Sequence, residues 1–221
     1  MRRILLAALF GLSLAGLPAA PLAAAEGADV FHTRSFSRDD LSALPQWTGV
    51  LAGLADEEKA FAACDASPST CRSLKVMVWR ALLSGVKGHD PERRLFEING
   101  FVNGLSPQSA CSLPAAGEPW PTLGDTIGGR GGAVGAAILK FVSLKDSGLP
   151  VASLRIAVVQ DVLRGCRTAV LLVRMGERTF VLDANANAVR EASLVRNLIP
   201  YYSFNETTRW VHIPLRQESS P

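Results

Sequence analysis

Unbalanced charge, histidine and cysteine are all scarce in this 221-residue chain, and each shortage excludes something. There are 23 basic residues against 20 acidic ones. Two of the basic residues, Arg2 and Arg3, precede a 14-residue apolar run, Ile4–Leu17. Without those two the balance is 21 against 20, a net charge of about +1. Binding to a nucleic-acid backbone needs clustered positive charge, so no nucleic-acid partner is expected. The apolar run is itself short of the roughly 20 residues that span a bilayer. With Pro18 and the small-residue site Ala23-Ala24-Ala25 before Glu26, it reads as a secretory signal peptide, residues 1–25. Residues 26–221 are then one exported domain with no membrane span.

The four cysteines, Cys64, Cys71, Cys111 and Cys166, all lie in the exported part. An oxidising compartment favours disulfides. Cys64 and Cys71 flank the turn-rich Asp65–Thr70, which suits a bond between them and leaves Cys111 and Cys166 as the second pair. Spacing alone does not fix that connectivity. No histidine or further cysteine stands at zinc-ligand spacing, so neither metal nor cofactor is expected. The histidines are scattered: His32 in an irregular lead, His89 in a polar turn, His212 in a terminal strand. Each reads as a surface or hydrogen-bonded residue.

The chain is organised around Gly128–Lys145, where closely spaced glycines run into a helix that is apolar on nearly every side. Such a helix belongs inside a protein. Gly148 suits a left-handed C-cap. The glycines read as a flexible approach. No Gly-Lys-Ser/Thr follows them and no strand precedes them, so they form no phosphate loop, and Val134 stands where a dinucleotide fingerprint needs its third glycine.

Residues 26–43 are polar and aperiodic and read as a partly ordered lead. Helices are predicted from Pro45 to about Cys64 (Trp47, Val50, Leu51, Leu54, Phe61), from about Cys71 to Gly85 (Leu74, Val78, Trp79, Leu82), and from Asp90-Pro91 to Asn103-Gly104 (Leu95, Phe96, Ile98, Phe101, Val102). The stretch 106–132 reads as one long connection. After Pro150 the pattern switches to strands at 154–159, 168–173, 179–182 and 209–213, with Gly165 and Gly176 at turns. Helices followed by an antiparallel sheet imply an α+β fold. Asp183 ends a strand ahead of Ala-Asn-Ala-Asn, as a turn residue or an orienting carboxylate.

Residues 120–213 resemble the bacterial transglutaminase-like cysteine peptidases, a family that includes periplasmic adhesin-cleaving proteases. The likeness rests on Trp120-Pro121-Thr122-Leu123, on Ala137-Ile138-Leu139-Lys140 with Leu144, Gly148, Leu149 and Pro150, and on Ala169–Val173. It continues through Val181-Leu182-Asp183 and Tyr202-Ser203-Phe204-Asn205 with Trp210. The helical half is similar through Trp47, the two early cysteines, Trp79, Ile98-Asn99 and Val102-Asn103. The resemblance implies a papain/transglutaminase-like fold with the central helix packed on the sheet, and a periplasmic location.

The family's Gly-Asp-Cys-Glu-Asp, whose acids beside the cysteine serve calcium in some members, falls on Gly131-Gly132-Ala133-Val134-Gly135, with Gly132 and Val134 at those possible calcium-ligand positions. Its His-Ala-Val falls on Thr168-Ala169-Val170. The triad-equivalent positions are therefore Ala133, Thr168 and Asp183. Alanine cannot attack and threonine cannot act as the base near neutral pH. The resemblance thus implies a pseudo-peptidase without calcium that binds a polypeptide or a regulatory partner of an active relative. Two alternatives stand beside it: an active enzyme with Cys166 as displaced nucleophile and His212 or another histidine as base, or a structural envelope protein without a specific ligand.

Overall fold

A computed structural model describes residues 30–71, 73–105, 111 and 113–215. The segment read as a signal peptide lies outside the described residues.

A strand opens the described chain: β1 (Thr33–Arg38), followed by the helices α1 (Pro45–Ala66), α2 (Leu74–Val86) and α3 (Pro91–Gly104). A short α4 (Leu123–Ile127) precedes the central α5 (Gly132–Asp146). The rest is β2 (Leu154–Asp161), β3 (Cys166–Met175), β4 (Arg178–Asp183), β5 (Arg190–Glu191), β6 (Leu198–Phe204) and β7 (Arg209–Pro214). All strand pairings are antiparallel, in the order β1-β7-β6-β2-β3-β4-β5. The α+β expectation holds.

The lead is not irregular. Residues 33–38 pair along β7, Phe36 opposite Val211. Their sequence, Thr-Arg-Ser-Phe-Ser-Arg, gives little hydrophobic alternation because most of this edge strand is exposed. The 106–132 connection is likewise broken by α4. Its start carries a reciprocal cap: Thr122 Oγ1 accepts from the Asp125 backbone N–H while Asp125 accepts from that of Thr122.

Helix positions match the predicted ones more closely than helix faces do. In α2 the buried residues are Val76, Trp79, Leu83 and Val86, spaced three, four and three apart. Leu74 and Val78 are exposed instead, at 74% and 50%. In α3 the inward face is Leu95, Ile98, Asn99 and Val102, and Phe96 is turned out. Both helices carry two apolar rows, and periodicity alone does not say which one meets the core.

Helix α5 is buried from Ala133 to Leu144. It lies on β3, β2 and β4 with α3 and α4 against its other side. Its end follows the glycine logic: Gly148 adopts φ +102° and the Leu149 amide returns to the Leu144 carbonyl at 3.0 Å. Two tryptophans tie the helical layer to this core. Trp47 packs edge-on against Phe141 and donates Nε1–H to the Asn205 carbonyl at 2.7 Å. Trp79 donates to Ser143 Oγ at 2.9 Å. Both partners satisfy a polar group that would be costly to bury alone.

The sheet has two buried faces. Ile156, Val158, Ala169, Leu171, Val173, Phe180 and Leu182 belong to the core shared with α5. Ala157, Val159, Val170, Leu172 and Val181 form a second core with Val30, Phe31, Ala192, Val195 and Leu198. The strict alternation decides where every candidate residue of the sheet points.

Candidate functional site

The first turn of α5 is where a helix-borne nucleophile would sit, and here the position holds a packed alanine. Ala133 has no exposed surface. Helix α4 packs so tightly on this turn that side chains are excluded at two positions. A Cβ at Gly131 would lie 2.4 Å from Thr126 Oγ1, and one at Gly135 would meet the same atom at 2.4 Å and Pro121 Cγ at 3.0 Å. The glycines are therefore not a flexible approach. They let Thr126 seat against the helix, and its hydroxyl is held by the Thr122 carbonyl at 2.9 Å. Gly129 and Gly132 do use conformational freedom, with φ +91° and +57°.

Calcium does not fit this turn. The positions that the resemblance assigns to acids hold Gly132, Val134 and Gly135. At Gly135 a carboxylate would collide with Thr126. The nearest acid in sequence, Asp125, is already engaged by Thr122 and by Arg130 Nη2 at 2.9 Å, and these bonds hold its carboxyl below the usual range. A calcium ion needs six or more oxygens, several of them charged. This donor set does not supply them.

Thr168 and Asp183 are brought near each other but not to Ala133. Val170 pairs with Asp183, and Thr168 and Asp183 follow Val170, Leu172 and Val181 onto the sheet face away from α5. The β3 residues on either side of Thr168, Arg167 and Ala169, share the α5 face with Leu171 and Val173. Asp183 caps its own turn, accepting the Asn185 amide at 2.9 Å, so the turn reading of this residue is the one observed. Arg164 Nη1 stands 3.8 Å from its other oxygen and also bonds Asp161. Burial raises the Asp161 pKa, but bonds from Asn197, Arg164 and Leu163 outweigh it and hold the carboxyl below its ordinary value. This acid–arginine cluster braces the β2–β3 turn.

The cysteines are all engaged. Cys64 bonds Cys71 and Cys111 bonds Cys166, with Cα separations of 4.6 and 5.5 Å, and no free cysteine is present. His212, the base considered for Cys166, is committed elsewhere. Thr33 Oγ1 donates to the Val30 carbonyl, so it accepts from His212 Nδ1–H at 3.0 Å; Ser203 Oγ then donates to Nε2 at 2.9 Å. Burial, with Arg155 adding repulsion, brings this imidazole down to a pKa of about 4 and keeps it neutral. His89 donates Nδ1–H to Glu97 Oε2 at 2.8 Å, and His32 is exposed beside Arg196.

Sequence reasoning missed the feature that shapes the surface here. Leu113–Pro121 forms a strap beside α1, the sheet and the α4–α5 junction, with three hollows along it. One hollow, about 440 Å³, runs along α1 past Gly49, Gly53, Glu57 and Trp120. A second, about 740 Å³, lies against the sheet between Gln46, Trp120, Val158, Arg167 and Tyr202. A third, about 390 Å³, opens over Arg130, Gly131 and Gly132. Trp120 and Gln46 line both of the first two, so these meet. The Cys111–Cys166 disulfide fastens the foot of the strap to β3 at the edge of the second. Glu57 joins α1 to the strap's far end by accepting the Leu123 and Gly124 amides at 3.1 and 2.9 Å.

No protein-family description matches this sequence, and no curated protein does. Among solved structures the fold is similar to Legionella pneumophila LapG, with a TM-score of 0.56 and 21% identity over 70% of this chain and 86% of that chain. Calcium-bound LapG gives 0.60 over 69% and 87%, and EGTA-treated LapG gives 0.57 over 70% and 84%, both at 21% identity. The α+β, transglutaminase-like fold expected from the sequence is the fold observed.

Proposed function

We propose that this chain is an exported relative of the transglutaminase-like cysteine peptidases that has lost their chemistry and acts by holding a polypeptide or a regulatory partner. One observation carries the reading: the first turn of the central helix offers Ala133 in a packed setting, and all four cysteines of the chain are spent in disulfides. Thiol peptidases require a thiolate and an imidazole in contact. Here His212 serves Thr33 and Ser203, and Cys166 serves Cys111. What survives is the scaffold, with hollows beside a disulfide-tethered strap that are large enough for side chains of an extended chain. The periplasm is the compartment in which the signal segment and two disulfides agree.

The test is to incubate the mature protein with a reduced, carboxymethylated carrier protein as an unfolded probe. Binding by sedimentation or light scattering, with the probe intact by mass spectrometry after prolonged incubation, is the expected outcome. Cleavage of the probe that disappears in a Cys166→Ala variant would instead establish the displaced-nucleophile enzyme. Neither binding nor cleavage would leave the structural-protein alternative.

A further inference from the structure

The hollow against the sheet carries a chemical bias. Its lining includes one charged side chain, Arg167, and no acid. Arg167 is exposed, lies over the Tyr201 ring at 5.3 Å, and has no carboxylate partner among the described residues. Opposite stand two half-buried rings, Trp120 and Tyr202, both set against the buried Phe204 at 5.4 and 6.1 Å between centroids. Rings held in this way lose little freedom when a ligand covers them. The Gln46 amide at the same wall supplies both a donor and an acceptor.

The same sheet face continues outward from Tyr202. Tyr202 pairs with Val211, and Val211 with Phe36, so the three side chains stand in a row across β6, β7 and β1. Phe36 and Val211 are 53% and 46% exposed, a large apolar surface for one face of a sheet. Arg34 and Arg38 flank Phe36 on β1, exposed and without ion-pair partners among the described residues. The acids at that edge are occupied: Asp39 accepts from Thr208, and Asp40 accepts from Ser42. Three inter-strand steps separate β2 from β1, about 14 Å, the reach of four or five extended residues.

Resting on the polypeptide-binding reading above, we infer that this wall, from the Arg167 hollow across Tyr202 and Val211 to Phe36, docks an acidic polypeptide segment whose apolar side chains alternate with carboxylates. Apolar residues enter the Trp120–Tyr202 hollow and cover Phe36 and Val211. Carboxylates pair with Arg167 at one end and with Arg34 and Arg38 at the other, where guanidinium forks suit bidentate contact. A second copy of this chain would bring like charge to the same arginines, so self-association through this face is disfavoured.

The test uses two fluorescein-labelled eight-residue peptides, one alternating Glu with Leu and Phe and the other with Lys in place of each Glu. Affinities are read by anisotropy for the wild type, for Arg167→Glu, and for Lys75→Glu as an exposed control of equal charge change on α2. Thermal melting checks that each variant folds. The wild type should bind the acidic peptide at least tenfold more tightly than the basic one, and more weakly as salt rises. Arg167→Glu should cost the acidic peptide about tenfold and improve the basic one, with Lys75→Glu unchanged. Equal binding of the two peptides, or an Arg167→Glu effect no larger than that of Lys75→Glu, would overturn the inference while leaving polypeptide binding intact. If no peptide of either charge binds, both readings fall.

Discussion

Replacing Lys140 with methionine should stabilise the protein, and by an amount that depends on pH. Lys140 lies in the middle of α5 with no exposed surface, and its Nζ has no hydrogen-bond partner. Burial brings its pKa down from 10.5 to about 7, opposed in part by the charge of Asp183. The unfolded chain therefore binds the lysine proton more tightly than the folded one. Stability linked to this group is fully present above pH 10.5 and is lost as pH falls towards 7. At about 1.36 kcal/mol per unit, the penalty at pH 7 is roughly 4 kcal/mol, and at pH 10 it is below about 1 kcal/mol. Methionine keeps the unbranched shape and removes the amine. Urea unfolding of Lys140→Met should show a gain of about 2–4 kcal/mol at pH 7 that shrinks steadily by pH 10, with folded-state spectra unchanged. A loss of stability, or a gain independent of pH, would show that the ammonium is solvated inside the protein. The buried orphan acceptors Asn99 Oδ1 and Asn103 Oδ1 would then be the groups to examine for a bound water.

Three further outcomes follow from the packing. His212 is depressed to about 4 from 6.5, so its neutral form holds β1 to β6 and β7, and that stability is present above pH 6.5 and lost as pH falls towards 4. Urea titrations should show up to about 3 kcal/mol lost over that window, absent in His212→Gln. Gly135→Asp, which places an acid where the resembled motif has its last one, should destabilise by more than about 2 kcal/mol through collision with Thr126, and millimolar calcium should not raise its melting temperature. Selective removal of the Cys111–Cys166 bond by double alanine substitution should cost about 4 kcal/mol, the loop-closure value for its 55-residue separation, measured by denaturant unfolding.

The sequence was most legible where burial is complete on all sides. The apolar run of α5, the nearly continuous apolar strands β2 to β4 and the glycine stop at Gly148 leave one reading each. It was least legible where a residue type serves two ends. Glycines at 131 and 135 looked like a source of freedom, yet their purpose is to admit Thr126, a contact no local pattern records. Edge strand β1 was hidden because an exposed strand needs no hydrophobic alternation. The five-residue α4 was masked by surrounding glycines and prolines, although Thr122 and Asp125 carried the capping-box spacing. The exposed stripes Leu74–Val78 and Phe96 looked like core because they obey the same period as the buried rows. The separation of Ala133 from Thr168 and Asp183 depends on which side of a strand each residue faces, and a one-residue shift in register reverses that.

The proposed loss of thiol chemistry is tested most directly by thiol mapping of the native, mature protein with a cysteine-directed electrophile at neutral pH, read by peptide mass spectrometry. With both disulfides formed and Ala133 at the helix start, no adduct should appear on Cys64, Cys71, Cys111 or Cys166 until reductant is added. Rapid labelling of Cys166 without reductant, with a rate that titrates well below the ordinary thiol range of about 8.5, would contradict the account and restore the enzyme.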